Sequence, residues 1–195
     1  MEDANPLQLV DLPVPEPGPN EIRIRISCCG VCHTELDEIE GRVKPTLPVI
    51  PGHQVVGNVE KRGSNVGRFK LGDRVGVAWI FQACGTCDSC INGMENLCEE
   101  FKATGCHAAG GYAEYMVVNE KFAYSIPASL SDEEASPLLC AGAIGFRSLR
   151  LGSPKNGQTI GLTGFGGSGH LVLKMARALF PDSRIIVFAR SAHER

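Results

Sequence analysis

The chain has 195 residues, 43% hydrophobic and 21% charged, with 23 glycines and 12 prolines; this composition excludes a disordered or fibrous protein. A formal charge of -3 and a pI near 6.0 give no electrostatic footing for nucleic acid or an anionic membrane surface, so the expected partner is a small molecule. No apolar run nears the roughly 20 residues that span a bilayer, and the N-terminus has neither the basic region nor the apolar stretch of a secretion signal, which predicts a cytoplasmic protein whose nine cysteines are metal ligands or buried thiols.

Residues 6–20, PLQLVDLPVPEPGPN, hold five of the twelve prolines and predict an extended, turn-rich stretch without helix. EIRIRIS, Glu21 to Ser27, alternates apolar and charged residues at period two, the pattern of a strand with one buried face. VIPGHQVVGNVEKRG, DRVGVAWI (Asp73 to Ile80) and YAEYMVV (Tyr112 to Val118) continue in the same style. Short strands broken by glycine and proline turns imply a barrel- or sandwich-like β domain up to about residue 125.

The character changes at Ser131, which stands three residues before Glu134 in a capping box and opens a helix with acids in its first turn. Pro137 divides the pattern, predicting two short helical segments. GQTIGLTGFG then reads as a strand, GSGHLVLKMARALF as a helix and RIIVFAR as a second strand, together one βαβ unit opening a parallel sheet.

Two groups of residues carry metal chemistry. Cys84, Cys87, Cys90 and Cys98, in CGTCDSCINGMENLC, form a C-x2-C-x2-C-x7-C arrangement that brings four soft thiolates within reach of one tetrahedral Zn(II). Gly85 and Gly93 supply the turns, and a ligand set with no open position is structural. An iron–sulfur cluster or disulfides would use the same residue type. Cys32, His53 and Cys140 are far apart in sequence, and each alone reads as a buried thiol or a packed histidine; as a set, two thiolates and an imidazole leave a fourth position open, as in a catalytic zinc site. Gly164, Gly166 and Gly169 form G-x-G-x-x-G between the predicted strand and helix, where backbone N–H groups at a helix N-terminus favour a pyrophosphate.

These motifs occur together in an order that resembles the zinc-containing alcohol dehydrogenases of the medium-chain dehydrogenase/reductase superfamily. GVCHTEL, PGH and LLCAG resemble the family's three zinc-ligand motifs, the four-cysteine segment its structural zinc lobe, and GFGGSGH its nucleotide turn. The resemblance implies a β-rich GroES-like barrel as the catalytic domain over residues 1–150, with the zinc lobe at about 82–100, followed by the start of an α/β Rossmann domain over 151–195. It makes Cys32, His53 and Cys140 catalytic zinc ligands and gives two zinc ions per chain. Zinc as a Lewis acid lowers the pKa of a bound hydroxyl, for water from about 15.7 to about 7, which readies an alcohol for hydride transfer to a nicotinamide cofactor. Thr34 matches the family's hydroxyl that hydrogen-bonds the alcohol, and Asp37 stands where many relatives carry a proton-relaying histidine. Glu35 matches an acid that supports a zinc ligand, and Gln54 departs from the family's usual glutamate.

The same resemblance makes His33, Gly164, Gly166, Gly167 and Gly169 cofactor contacts. Where NAD-using relatives place a ribose-binding acid, this chain has Ala189 followed by Arg190 and Ser191, which suit a 2′-phosphate and favour NADP(H) over NAD(H). The implied substrate is a small alcohol, aldehyde or ketone, and the full-length parent is expected to be a homo-oligomer. Because a dinucleotide fold needs two βαβαβ halves and only 26 residues follow Gly169, the reading is a truncated chain with little turnover of its own. A zinc-ribbon interaction module would carry the four-cysteine lobe without the trio and the glycine turn, and a zinc-free quinone reductase would lack the cysteine ligands. Cys28, Cys29, Cys106 and His107 are expected in packing or turns.

Overall fold

The computed structural model describes residues 7–190, which divide into two compact units, one ending at Leu139 and one beginning at Cys140. In the first, β1 (Glu21–Cys29), β2 (Val55–Arg62), β3 (Arg74–Val77), β6 (Tyr115–Asn119) and β7 (Ala123–Ser125) form a five-stranded antiparallel sheet in the order β6-β1-β2-β3-β7. Between them lie α1 (His33–Ile39), β4 (Ile80–Gln82), α2 (Asp88–Ile91) and β5 (Lys102–Ala103), and the unit closes with α3 (Asp132–Ala135) and a 3-10 turn at Ser136–Leu139. The second unit holds α4 (Ala141–Gly152), β8 (Thr159–Thr163), α5 (Gly167–Leu179) and β9 (Arg184–Phe188).

The period-two alternation of EIRIRIS does what it implies: Ile22 and Ile24 point into the core at 0% exposure while their arginine neighbours face outward. They pack with Val55, Val59, Val75, Val77, Met116, Val118 and Ala123, the alternate residues of neighbouring strands. Each isoleucine, valine or methionine side chain among them contributes about 1.5–3 kcal/mol on leaving water, so this mostly β-branched layer is a large apolar contribution to the unit's stability.

Two predicted strands are shorter than their patterns. DRVGVAWI breaks after Val77, because buried Thr104 donates its hydroxyl to the Ala78 carbonyl (2.7 Å) and its N–H to the Trp79 carbonyl (2.9 Å), drawing the chain into a separate β4–β5 pair. YAEYMVV begins pairing only at Tyr115, since Gly111 and Tyr112 spend their N–H groups on the carbonyls of Gly52 and Pro51. The Ser131–Glu134 capping box is present, with the Ser131 hydroxyl accepting from Glu134 N–H (3.2 Å) and the Glu134 carboxylate accepting from Ser131 N–H (2.9 Å). Pro137 falls inside the 3-10 turn, so the segment is α3, the 3-10 turn and the longer α4 rather than two short helices.

The second unit is the expected βαβ arrangement: β8 and β9 pair in parallel, Thr159 opposite Arg184 through Thr163 opposite Phe188. Val172 and Ala176 of α5 lie on the sheet with Ile160, Leu162 and Ile185, and Leu149 of α4 joins this small core. Among the described residues, no helix is long and apolar enough to cross a membrane.

Candidate metal centres and glycine turn

The four-cysteine segment folds as a compact lobe. The sulfurs of Cys84, Cys87, Cys90 and Cys98 all lie within 4.8 Å of one another, and none of the four is in a disulfide. Gly85 and Gly93 adopt φ of +78° and +68°, the left-handed region where a side chain would be strained. Backbone N–H groups of Thr86 and Cys87 donate to Cys84 Sγ at 3.5 and 3.3 Å, and they bring that thiol down to about 6. Cys90 goes the other way, pushed up to about 12 by burial first and then by the neighbouring sulfurs. Burial disfavours the Cys90 thiolate, and a thiophilic dication among the four sulfurs would relieve that cost, so the residues fit Zn(II).

A second group forms from three distant segments. Cys32 is the N-cap of α1, His53 precedes β2, and Cys140 follows directly on Leu139 at the end of the first unit; one donor atom from each lies within 4.8 Å of the others. His53 is only 2% exposed, and its ring stands T-shaped to that of Trp79 at 5.0 Å between centroids. Beneath the group sits Glu35, also 2% exposed. Its Oε2 accepts from the Cys32 N–H at 2.7 Å, and its Oε1 lies 2.6 Å from His53 Nδ1, a charge-assisted approach. Burial raises the Glu35 pKa, but the imidazole and the Cys32 N–H outweigh it and hold the carboxyl below its ordinary value. Two thiols, a buried imidazole and a carboxylate fixing that imidazole are the chemistry of a zinc-binding group with room for one more ligand.

Around this group the other predicted residues are placed unequally. The Thr34 hydroxyl lies 3.7 Å from Cys32 Sγ. His33 is exposed, with Nε2 at 3.7 Å from Asp37 Oδ1, while Asp37 accepts from Arg42 Nε at 2.6 Å, an ion pair that no sequence spacing announced. Gln54 is buried, with its side chain against Gly30. Cys29 and Cys106 are packing residues whose thiols burial pushes up to about 11, and His107 closes a turn by accepting from Ala103 N–H at 3.0 Å.

In the second unit Gly164 ends β8 with φ of +84° and donates its N–H to the Phe188 carbonyl (2.8 Å), while Gly166 caps α5. A Cβ on Gly169 would stand 2.8 Å from the Gly164 carbonyl oxygen, so the third glycine is required by the turn's own backbone. Gly166 and Gly167 have open space where a side chain would be, which leaves the helix N-terminus accessible to an anion. Arg190 is exposed beyond β9; Ser191 lies outside the described residues.

Comparison with known proteins agrees with this architecture. Residues 18–128 match the alcohol dehydrogenase GroES-like domain, and the chain belongs to the alcohol dehydrogenase family of medium-chain dehydrogenases. It is 45% identical over 203 residues to the probable alcohol dehydrogenase AdhA of Mycobacterium tuberculosis, covering 99% of this chain and 57% of that protein. Two solved structures resemble it: CAD from Helicobacter pylori complexed with NADP(H), with a TM-score of 0.84 at 32% identity over 91% of this chain and 53% of the other; and a cobalt- and zinc-bound thermostable alcohol dehydrogenase from Pyrobaculum aerophilum, with 0.87 at 31% identity over 96% and 56%. The chain thus spans about half the length of the relatives it matches.

Proposed function

We propose that this chain carries the metal-binding catalytic domain, residues 1–150, and the opening of the dinucleotide-binding domain, residues 151–195, of a zinc-dependent oxidoreductase that transfers hydride between a small alcohol and a nicotinamide cofactor. The observation that carries the reading is the convergence of Cys32, His53 and Cys140 within 4.8 Å in a member of this family. A zinc ion held by these three residues would act as a Lewis acid toward the substrate oxygen, and a second, held by Cys84, Cys87, Cys90 and Cys98, would brace the lobe.

The chain's own residues divide the remaining work. Glu35 takes His53 Nδ1 and so assigns Nε2 to the metal. Thr34 is the hydroxyl beside the ligands, placed to hold the substrate O–H and receive its proton. Asp37, one turn of α1 beyond His33 and paired with Arg42, offers that proton a route outward, and His33 contacts the cofactor. The turn of Gly164, Gly166, Gly167 and Gly169 cradles the cofactor's pyrophosphate, and Arg190 with Ser191 selects the 2′-phosphate of NADP(H) over NAD(H). The substrate is an alcohol, aldehyde or ketone, and the whole enzyme a homo-oligomer. Among the described residues the dinucleotide-binding part is one βαβ unit, so we expect little turnover from this chain alone.

Zinc per chain, measured by elemental analysis on wild type, Cys84→Ser and His53→Ala, tests the assignment. Two zinc ions, each variant losing one, is the expected result. One zinc, lost only with Cys84→Ser, overturns the catalytic site.

A further inference from the structure

The three segments that carry Cys32, His53 and Cys140 meet at one backbone carbonyl. The oxygen of Gln54, the residue after His53, accepts from the Ser136 hydroxyl at 2.6 Å and from the Gly30 N–H at 3.1 Å. Gly30 lies two residues before Cys32, and Ser136 four residues before Cys140. Ser136 is 1% exposed and Gln54 4%, so the serine hydroxyl and its acceptor are shielded from bulk solvent and losing that hydrogen bond would be costly.

Steric fit points the same way. A Cβ on Gly30 would stand 2.7 Å from Gln54 Oε1 and 2.9 Å from Ser136 Oγ, so the first segment closes on the other two only because it has no side chain here. At the far end of the 3-10 turn, Leu139 covers Gly76 of β3, where a Cβ would meet its Cδ1 at 2.8 Å. The turn that delivers Cys140 is therefore pinned at both ends, by a hydrogen bond at Ser136 and by packing at Leu139. Apolar packing alone tolerates sliding; a buried hydroxyl with one acceptor does not.

We propose that Ser136 is a positioning residue for the metal trio: its hydroxyl, through the Gln54 carbonyl, sets the spacing of the Cys32, His53 and Cys140 segments before any ion is bound. The proposal rests on the zinc reading of the trio given above. It assigns a role to a serine that belongs to neither group of metal-ligating residues and that the motif LLCAG does not include.

Cobalt(II) titration of the full 195-residue chain, followed by visible absorption, reads the two sites apart, because a four-thiolate field and a mixed thiolate–imidazole field absorb differently. Cys84→Ser and His53→Ala assign the bands. Ser136→Ala is expected to weaken cobalt binding at the trio by about tenfold and to leave the lobe unchanged, while Ser136→Thr, which keeps the hydroxyl, restores most of the affinity. The proposal is overturned if Ser136→Ala binds cobalt at the trio like wild type, if both sites weaken equally, or if the threonine variant is as weak as alanine. A wild-type chain that takes up cobalt only at the lobe would instead refute the trio as a metal site, and Ser136's role with it, a result visible before any change at residue 136.

Discussion

Replacing Glu35 with glutamine separates charge from shape at the base of the trio. The amide keeps an oxygen for the Cys32 N–H but takes the negative charge away from His53 Nδ1, 2.6 Å distant with both side chains 2% exposed. A buried hydrogen bond to a charged group contributes about 1.5–3 kcal/mol, so Glu35→Gln should cost about 2 kcal/mol. Glu35→Ala, which also strips the Cys32 N–H of its acceptor, should cost about 4 kcal/mol. With a urea dependence of about 2 kcal/mol/M for a protein of this size, the midpoints should fall by about 1 M and about 2 M. Trp79 is the single tryptophan and sits 5.0 Å from the His53 ring, so its fluorescence reports this region.

The pH dependence gives an independent check on the same variant. Because the folded Glu35 carboxyl is held below its ordinary 4.5, its stabilisation is fully present above that value and is lost as the pH falls through the folded pKa. The gap between wild type and Glu35→Gln should therefore be full at neutral pH and shrink in acid. At equal zinc content, a glutamine variant with the wild-type midpoint would refute the argument that Glu35 braces His53 by charge.

Away from the trio, Asp132 accepts from the Ser27 hydroxyl and from Arg74 Nε, and these contacts, the serine first, hold its pKa below 3.8 against the opposing effect of burial. At 26% side-chain exposure, Asp132→Asn should cost about 1 kcal/mol at pH 7, and the difference in thermal midpoint should close as the pH falls below 3.8 and through the folded value; a constant difference across that range would remove the ion pair from the explanation. Gly169→Ala forces a Cβ to 2.8 Å from the Gly164 carbonyl and should cost about 1–3 kcal/mol. It should also abolish any rise in thermal midpoint on adding NADPH, and a variant protected as well as wild type would show that the turn does not cradle the cofactor.

Much of this molecule is written in short-range pattern. The alternation in EIRIRIS, the Ser131 capping box, the C-x2-C-x2-C-x7-C spacing and the glycine turn between strand and helix each depend on residues a few positions apart, and each appears in the structure as its local chemistry requires. The family order of the motifs supplied the trio, which no local pattern could, since Cys32, His53 and Cys140 become neighbours only when the segments around β1, β2 and the 3-10 turn are brought together. Arg42 on Asp37, Thr104 cutting the third predicted strand short, and the Ser136 hydroxyl on the Gln54 carbonyl left no mark in the sequence. They are matters of which buried or half-buried polar group finds which partner, and only the closed fold, by excluding water from those groups, decides the pairing.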